Sequence, residues 1–458
     1  MTWPAATGAV LSVLLIGCLS GRAHAVDAVP GCCVVAAAAG ESLHWQDDQG
    51  SRELPLLDPH FRTGLSAETL RLYEYSPSLA LAVGRGVLFK TRSEVSRAQL
   101  RRRFPDLAKP VVLAELGDER IFRADAATAD TLQDLVLRLR GDPAVLWAQP
   151  DVLKVERGGE RERTLQPSYD MVGYSLRADL QLEAAWTSGT GRGVRVAVID
   201  SGVDLGHPGL AGVPVAFTYD TESRSTDVAP RHKGDRHGNL VAGLVFANGK
   251  TVTPRGIAPD AALIAIRLAS TWTSDLVLAF QAAYLAKADV INCSWDDPLV
   301  LQPVLDVLRQ IVHQGRGGRG GLIVVAAGNR ALDTSARSSL ANRDEVIAVT
   351  ALDHANQPIA AFGRGVDIAA PSMLPSLGAD SGRESAYLGK TSAAAPVVSA
   401  TLALMLSADP SLSADAARAV LLATVTALPE QYRSARAFGK VTPLAALQRV
   451  AANRERPQ

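Results

Sequence analysis

Five short, nearly uninterrupted apolar runs constrain the second half of this sequence: "GVRVAVID" (193–200), "ALIAIRL" (262–268), "DVINCS" (289–294), "GLIVVAAGN" (321–329) and "EVIAVTAL" (345–352). Each is short and rich in β-branched residues, as buried strands are. None alternates between apolar and polar, so both faces are covered, which is the habit of parallel sheets. Helical stretches separate them: "NLVAGLVFA" (239–247), "DLVLAFQAAYLAK" (275–287), "LQPVLDVLRQIVHQG" (301–315) and "AAAPVVSATLALMLSA" (393–408). The alternation predicts an α/β domain over 168–450 with a largely parallel sheet flanked by helices. Such sheets present ligand sites at the carboxyl ends of their strands.

The first part of the chain reads differently. "ALAVGRGVLFK" (80–90) suits a strand, and "SRAQLRRRF" (96–104) a helix capped by Ser96. Strand-like "KPVVLAEL" and "RIFRA" follow, then a helix "TADTLQDLVLRLRG" and a last strand "AVLWAQPDVLKVE". That order predicts a small ferredoxin-like α/β sandwich over 80–156. "RGGERERTLQP" (157–167) has linker composition and is a candidate processing region. Residues 26–79 mix "VVAAAAG" with polar "HWQDDQGSRELP" and give no clear elements, and 451–458 read as a tail.

The N-terminus reads as an export signal over 1–25, with an apolar run from Ala9 to Leu19 and a small-x-small site ending at Ala25. Within it, "LIGC" (15–18) resembles a bacterial lipobox, which leaves a lipid anchor on Cys18 as the alternative to a secreted or periplasmic protein. No later run has the 18 uninterrupted apolar residues of a membrane span, so no transmembrane helix is expected in the mature chain. The other cysteines do not form a framework: Cys32 and Cys33 are adjacent, and Cys293 lies in a strand expected to be buried. Lys+Arg and Asp+Glu both number 47, so no basic excess marks a nucleic-acid binder. "GRGGRGG" (315–321) reads as a loop between a helix and a strand.

Polar residues fall where such a sheet would present them. Asp200 closes the first apolar run, His237 opens the helix "HGNLVAGLVFA", Asn329 ends "GLIVVAAGN", and Ser392 stands before an alanine run. Singly, each has an ordinary use: a cap or ligand acid, a structural histidine, a turn asparagine, a helix-capping serine. Together they fit acyl transfer. A serine hydroxyl needs an adjacent base, and the base needs an acid to hold its tautomer.

The chain resembles the subtilisin-like (subtilase) serine proteases. "VAVIDSGVDLGHP", "HGNLVAG", "VVAAGN" and "GKTSAAAP" are similar to their aspartate, histidine, oxyanion-asparagine and serine segments, and "GIAPDAALIAIRL", "DVINCSW" and "FGRGVDIAAP" to framework segments, over roughly 165–450. The resemblance implies a Ser392 nucleophile, His237 as general base and acid, Asp200 orienting it, and Asn329 in the oxyanion hole. It implies an extended polypeptide substrate lying along Ser294, Trp295 and Asp296 on one side and Ala326, Ala327 and Gly328 on the other. It also implies that the sandwich is a prodomain acting as an intramolecular inhibitor, and that the protein is an exported zymogen.

Three positions depart from the family pattern. Asn239 and Leu240 replace the threonine and second histidine of "HGTHVAG". Lys390 replaces a glycine before the "TS", where a left-handed backbone would strain it unless Gly389 makes the turn. Asp296 replaces a glycine, where its carboxylate either intrudes on the cleft or selects a basic residue. These departures keep a second function open, a catalytically impaired peptide- or protein-binding module. No cofactor is expected, calcium being left open only at sites other than the usual loop. The loop "ANGKTVTPRG", where some subtilases bind calcium, offers Lys250 and Arg255 and no carboxylate.

Overall fold

The computed structural model describes residues 42–47, 50–62, 69–157, 174–232, 235–250, 254–329, 339–363, 365–378, 385–428 and 439–455, with the backbone of Leu11–Val13. The export-site residues, Cys18, Cys32, Cys33 and all of the linker after Arg157 lie outside the described residues.

The N-terminal layer holds β1 (Leu11–Val13), β2 (Ser42–Asp47), β3 (Gly50–Phe61), β4 (Leu70–Ser76), β5 (Leu79–Arg92), α1 (Arg97–Arg103), β6 (Ala108–Leu116), β7 (Glu119–Asp125), α2 (Leu132–Arg140) and β8 (Val145–Arg157). From β5 to β8 the strands lie in the spatial order β6–β7–β5–β8, all antiparallel, so the expected ferredoxin-like sandwich is present. Ser96 caps α1 in a reciprocal capping box with Gln99. Strands β2, β3 and β4, where the sequence suggested no elements, extend the same sheet: β4 pairs with the first part of β5, and β3 and β2 follow outward. Their signal was present as period two, since Leu43 and Trp45 in β2, and Leu54 and Leu56 in β3, are buried two residues apart. Leu11–Val13, within the N-terminal apolar run, form β1, paired antiparallel with Val155–Arg157.

Parity along β5 divides two cores. Val87 and Phe89 face α1 and α2, with Phe89 stacked on Phe122 at 5.3 Å. Leu88 points the other way and joins Leu113, Ala114 and Ile121 in the core of the second domain.

That domain comprises α3 (Leu176–Asp179), α4 (Leu182–Ala185), β9 (Arg195–Asp200), β10 (Val215–Asp220), α5 (His237–Phe246), β11 (Ala262–Arg267), α6 (Thr273–Leu285), β12 (Val290–Cys293), α7 (Gln302–Gly318), β13 (Leu322–Ala326), β14 (Ile347–Leu352), β15 (Ile368–Pro371), β16 (Leu374–Leu377), β17 (Ser385–Leu388), α8 (Lys390–Ala408), α9 (Ala414–Ala423), β18 (Thr426–Ala427), β19 (Gly439–Lys440) and α10 (Pro443–Arg454). The large sheet runs β10–β11–β9–β12–β13–β14–β15–β19–β18, parallel except for its last pair. In β9, Val196 and Val198 face the core built on α5 and α8, while Ala197 and Ile199 face the one built on α6 and α7. This two-sided burial is why the strand carries no polar alternation.

Helix α10 continues to Arg454. Among the described residues, α8 alone is long and apolar enough to cross a membrane, and 89% of its apolar window is buried inside the protein, as a core helix is. The "GRGGRGG" loop is pinned, with Arg316 donating to the Leu412 carbonyl at 2.8 Å and to Asp289 at 3.3 Å.

Candidate active site

The order of strands reverses around β9, whose neighbours are β11 and β12, and Asp200 sits at its carboxyl end. A crevice opens at such a point because the connections leave in opposite directions. The Asp200 carboxylate is fully buried and accepts from the Ser201 N–H at 2.8 Å and from its hydroxyl at 3.3 Å. His237 is the first residue of α5. Its Nδ1 donates to Asp200 Oδ1 and Oδ2 at 2.9 and 3.0 Å. Gly238 makes this approach possible: a Cβ there would lie 2.1 Å from the Gly202 carbonyl oxygen. Burial alone lowers the His237 pKa, but the charge and hydrogen bond of Asp200 outweigh it and hold the imidazole above its ordinary 6.5. With Nδ1 committed, Nε2 is buried and makes no hydrogen bond. It is the atom placed to accept a proton.

Ser392 lies at the start of α8. The N-cap is Gly389, so Ser392 is the third helical residue and its side chain does not cap. Its N–H is one of the first-turn donors without an intrahelical acceptor. Its hydroxyl donates to the Ser294 carbonyl at 3.0 Å rather than to His237. The Ser294 hydroxyl returns the contact, donating to the Ser392 carbonyl at 3.0 Å. That carbonyl is available because Pro396, four residues on, has no N–H to offer it. Asn292 donates to the Ser294 hydroxyl at 2.9 Å and accepts from Ser399 at 2.8 Å. The sequence carried a signal for the freed carbonyl, a proline four residues after the serine, and none for its partner.

Asn329 is tied to the same helix. Its Oδ1 accepts from the Thr391 N–H at 3.1 Å and from the Thr391 hydroxyl at 2.7 Å. A backbone N–H bonds only to an acceptor, so this contact fixes the amide's orientation and leaves Nδ2 as its donor end. Gly328 before it has φ +98°, which favours glycine. Ala326 and Ala327 are buried at the end of β13. Across from them, Trp295 is buried and donates from its indole to the Ile199 carbonyl at 2.7 Å. Asp296 Oδ2 lies 3.4 Å from where a Gly328 Cβ would stand, so its carboxylate faces that strand end.

The structure resolves two further departures. Gly389 is extended and does not make the turn. Lys390 takes φ +54° itself, at a cost of about 1–2 kcal/mol. Asn239 is buried, and its Oδ1 accepts the Asp204 N–H at 2.6 Å, anchoring the segment after Asp200. Among the described residues no group of three or more His, Cys, Asp or Glu could hold a metal ion.

The class is thus an α/β protein with an aspartate and an asparagine following the carboxyl ends of parallel strands, a histidine at the start of one helix bonded to that aspartate, and a serine in the first turn of a core helix. The chain belongs to the subtilase family, whose model matches residues 191–441. It is 29% identical over 336 residues to subtilisin E of Bacillus subtilis, covering 71% of this chain and 82% of that one. It is 28% identical over 346 residues to a calcium-dependent protease of Trichormus variabilis, covering 65% of this chain and 52% of the relative. The chain thus spans about half the length of that relative. The crystal structure of fervidolysin from Fervidobacterium pennivorans shares the fold, with a TM-score of 0.61 at 20% identity, over 80% of this chain and 61% of that one.

Proposed function

We propose that this chain is a serine endopeptidase, exported and made as a zymogen. The observation that carries the reading is the buried Asp200–His237 pair with Nε2 left to take a proton. In the reaction, the Ser392 hydroxyl leaves the Ser294 carbonyl, gives its proton to His237 Nε2 and attacks the substrate carbonyl carbon. The C=O electron pair moves to oxygen, and Asn329 Nδ2 and the Ser392 N–H hold the resulting oxyanion; one such donor is worth about 10²–10³ in turnover, a figure that comes from a subtilisin. Collapse expels the amine, which takes the proton from His237. Water then attacks the acyl-enzyme by the same route in reverse roles. Asp200 keeps Nδ1–H in place and stabilises the imidazolium.

The substrate is an extended polypeptide, pairing its backbone along Ser294–Asp296 and Ala326–Gly328. The N-terminal sandwich serves as an intramolecular inhibitor, cut away in the linker. In support, β8 passes antiparallel to Trp272 through a bridge at Leu153, and Thr271 and Thr273 donate to the carbonyls of Lys154 and Val152. Secretion or periplasmic delivery follows from the signal segment, with a lipid on Cys18 as the alternative. No step requires a metal.

Intact-mass analysis of the wild type and Ser392→Ala tests the reading. Cleavage in the linker by the wild type alone is the expected result. An uncut wild type, or equal cutting of both, overturns it and favours a binding module.

A further inference from the structure

A buried guanidinium sits beside the Asp–His pair. Arg267, at the end of β11, is in register with Asp200 on β9 and is only 1% exposed. A buried arginine must be matched by acceptors, and here three carboxylates from three places meet it. Its Nη1 donates to Asp220 at 3.2 Å, at the end of β10, and to Glu222 at 2.8 Å, in the turn beyond. Its Nη2 donates to Asp235 Oδ2 at 3.2 Å. Asp235 is two residues before His237. The same Oδ2 accepts the N–H groups of Arg231 and His232 at 3.1 and 3.2 Å, so it folds the loop that leads into α5. Arg231 returns to the cluster by pairing with Asp220 and Glu222. On the strand side, the Arg267 carbonyl accepts from the Thr221 N–H at 3.0 Å, and the next residue, Leu268, donates to the Asp200 carbonyl at 2.7 Å.

We infer that Arg267 is a positioning residue for the reaction, clamping the strand end that carries Asp200 to the loop that delivers His237. The inference rests on the serine-peptidase reading. Arg267 touches neither Asp200's carboxylate nor the imidazole. It acts through Asp235 on one side and the β9–β11 register on the other. Both members of the pair are thereby referred to one rigid centre, and small misplacements of catalytic groups are costly: about 1 Å is worth on the order of 10²-fold. Because Arg267 is buried, it lies out of a substrate's reach, so its loss falls on turnover and not on binding.

The test compares wild type, Arg267→Met, Arg267→Lys and Asp235→Ala, each expressed as the full-length chain and allowed to process itself. Competent sites are counted by a fluorophosphonate burst, and kcat and KM for a peptide p-nitroanilide are expressed per titrated site. A merely structural part for Arg267 would lower the number of competent sites and leave kcat per site unchanged. The expected result is kcat per site down about 10- to 100-fold in Arg267→Met with KM within twofold. Arg267→Lys falls between it and wild type, because the charge is kept and the fork geometry is lost. Asp235→Ala, which removes the loop's anchor together with one of the three carboxylates on Arg267, shows the same kcat loss and decides the matter if Arg267→Met does not fold. Unchanged kcat per site in Asp235→Ala, a loss confined to KM, or a lysine variant no better than methionine overturns the inference. An inactive wild type would instead fail the serine-peptidase reading.

Discussion

Replacing Lys154 by methionine isolates one of the ties between the sandwich and the second domain. Lys154 in β8 pairs with Asp297, 143 residues away, and the two side chains are 1% and 5% exposed. Asp297 Oδ1 also accepts the Leu299 N–H at 3.1 Å, so its carboxylate stays where it is when the lysine goes. Methionine preserves the apolar stem and removes only the cation. The carboxylate is then buried without its counter-charge, a state that costs about 3–5 kcal/mol. Once the sandwich has left, Asp297 meets water and the penalty vanishes, so the whole cost falls on docking. It corresponds to a weakening of roughly 10²- to 10³-fold or more. The assay is urea titration of the uncleavable Ser392→Ala chain with and without Lys154→Met, following the transition in which the two layers separate. At a slope near 2 kcal/mol per molar, its midpoint moves down by about 1.5–2.5 M. Adding Asp297→Asn, which removes the stranded charge and keeps an acceptor for Leu299, restores more than half of the loss. A shift worth under about 1 kcal/mol, or a double variant as weak as the single one, would refute the reasoning.

Two further outcomes follow from the same interface and cleft. Asp275 opens α6 beside Asp151 of the sandwich; burial pushes its pKa up to about 6, with the Asp151 charge adding to the rise and the Ser270 hydroxyl and Arg224 opposing it. A carboxyl raised above its ordinary 3.8 favours the folded form when protonated, so its contribution is complete below about pH 4 and is lost as pH rises through 6; two units are worth about 3 kcal/mol. Asp275→Asn is therefore more stable than its parent at pH 7 and no more stable at pH 4, and parallel urea midpoints across that range would contradict this. Asp296 faces the Gly328 strand end, so peptides with Arg or Lys beside the scissile bond are cleaved about tenfold or more faster than neutral ones, as one added charge contact predicts, and Asp296→Gly abolishes the preference. Equal kcat/KM for both peptide sets removes that assignment.

The large parallel sheet was legible because burial on both faces leaves a strand no reason to alternate, and β9, β11, β12, β13 and β14 all fell on the apolar runs. The sandwich was legible for another reason: the Ser96 cap set α1 apart, and α2 buries Leu132, Leu135, Val136 and Leu139 at helical spacing. Strands β2 and β3 were missed because the polar face of each dominates its composition, although Trp45 and Leu54 are buried beneath it. Edge strand β10 was missed because Val215 and Phe217 are exposed and its pattern is mixed. Around the site, the residue identities were readable from local segments, but their partners were not. The Ser294–Ser392 exchange spans 98 residues, Arg267 reaches Asp220 across 47, and neither pairing has a local period. The turn at Lys390 was readable only as a choice between two residues. The extended Gly389 backbone decides it.

The central claim is that Asp200 holds His237 so that its Nε2 can take the Ser392 proton. The rate at which a fluorophosphonate labels the self-processed protein, measured against pH and mapped by mass spectrometry, tests this most directly. A single adduct on Ser392 is predicted, forming faster as pH rises, with a half-point above the ordinary imidazole value of 6.5 because Asp200 stabilises the protonated ring. An unlabelled Ser392, or a labelling rate that does not change between pH 5 and 8, would contradict it.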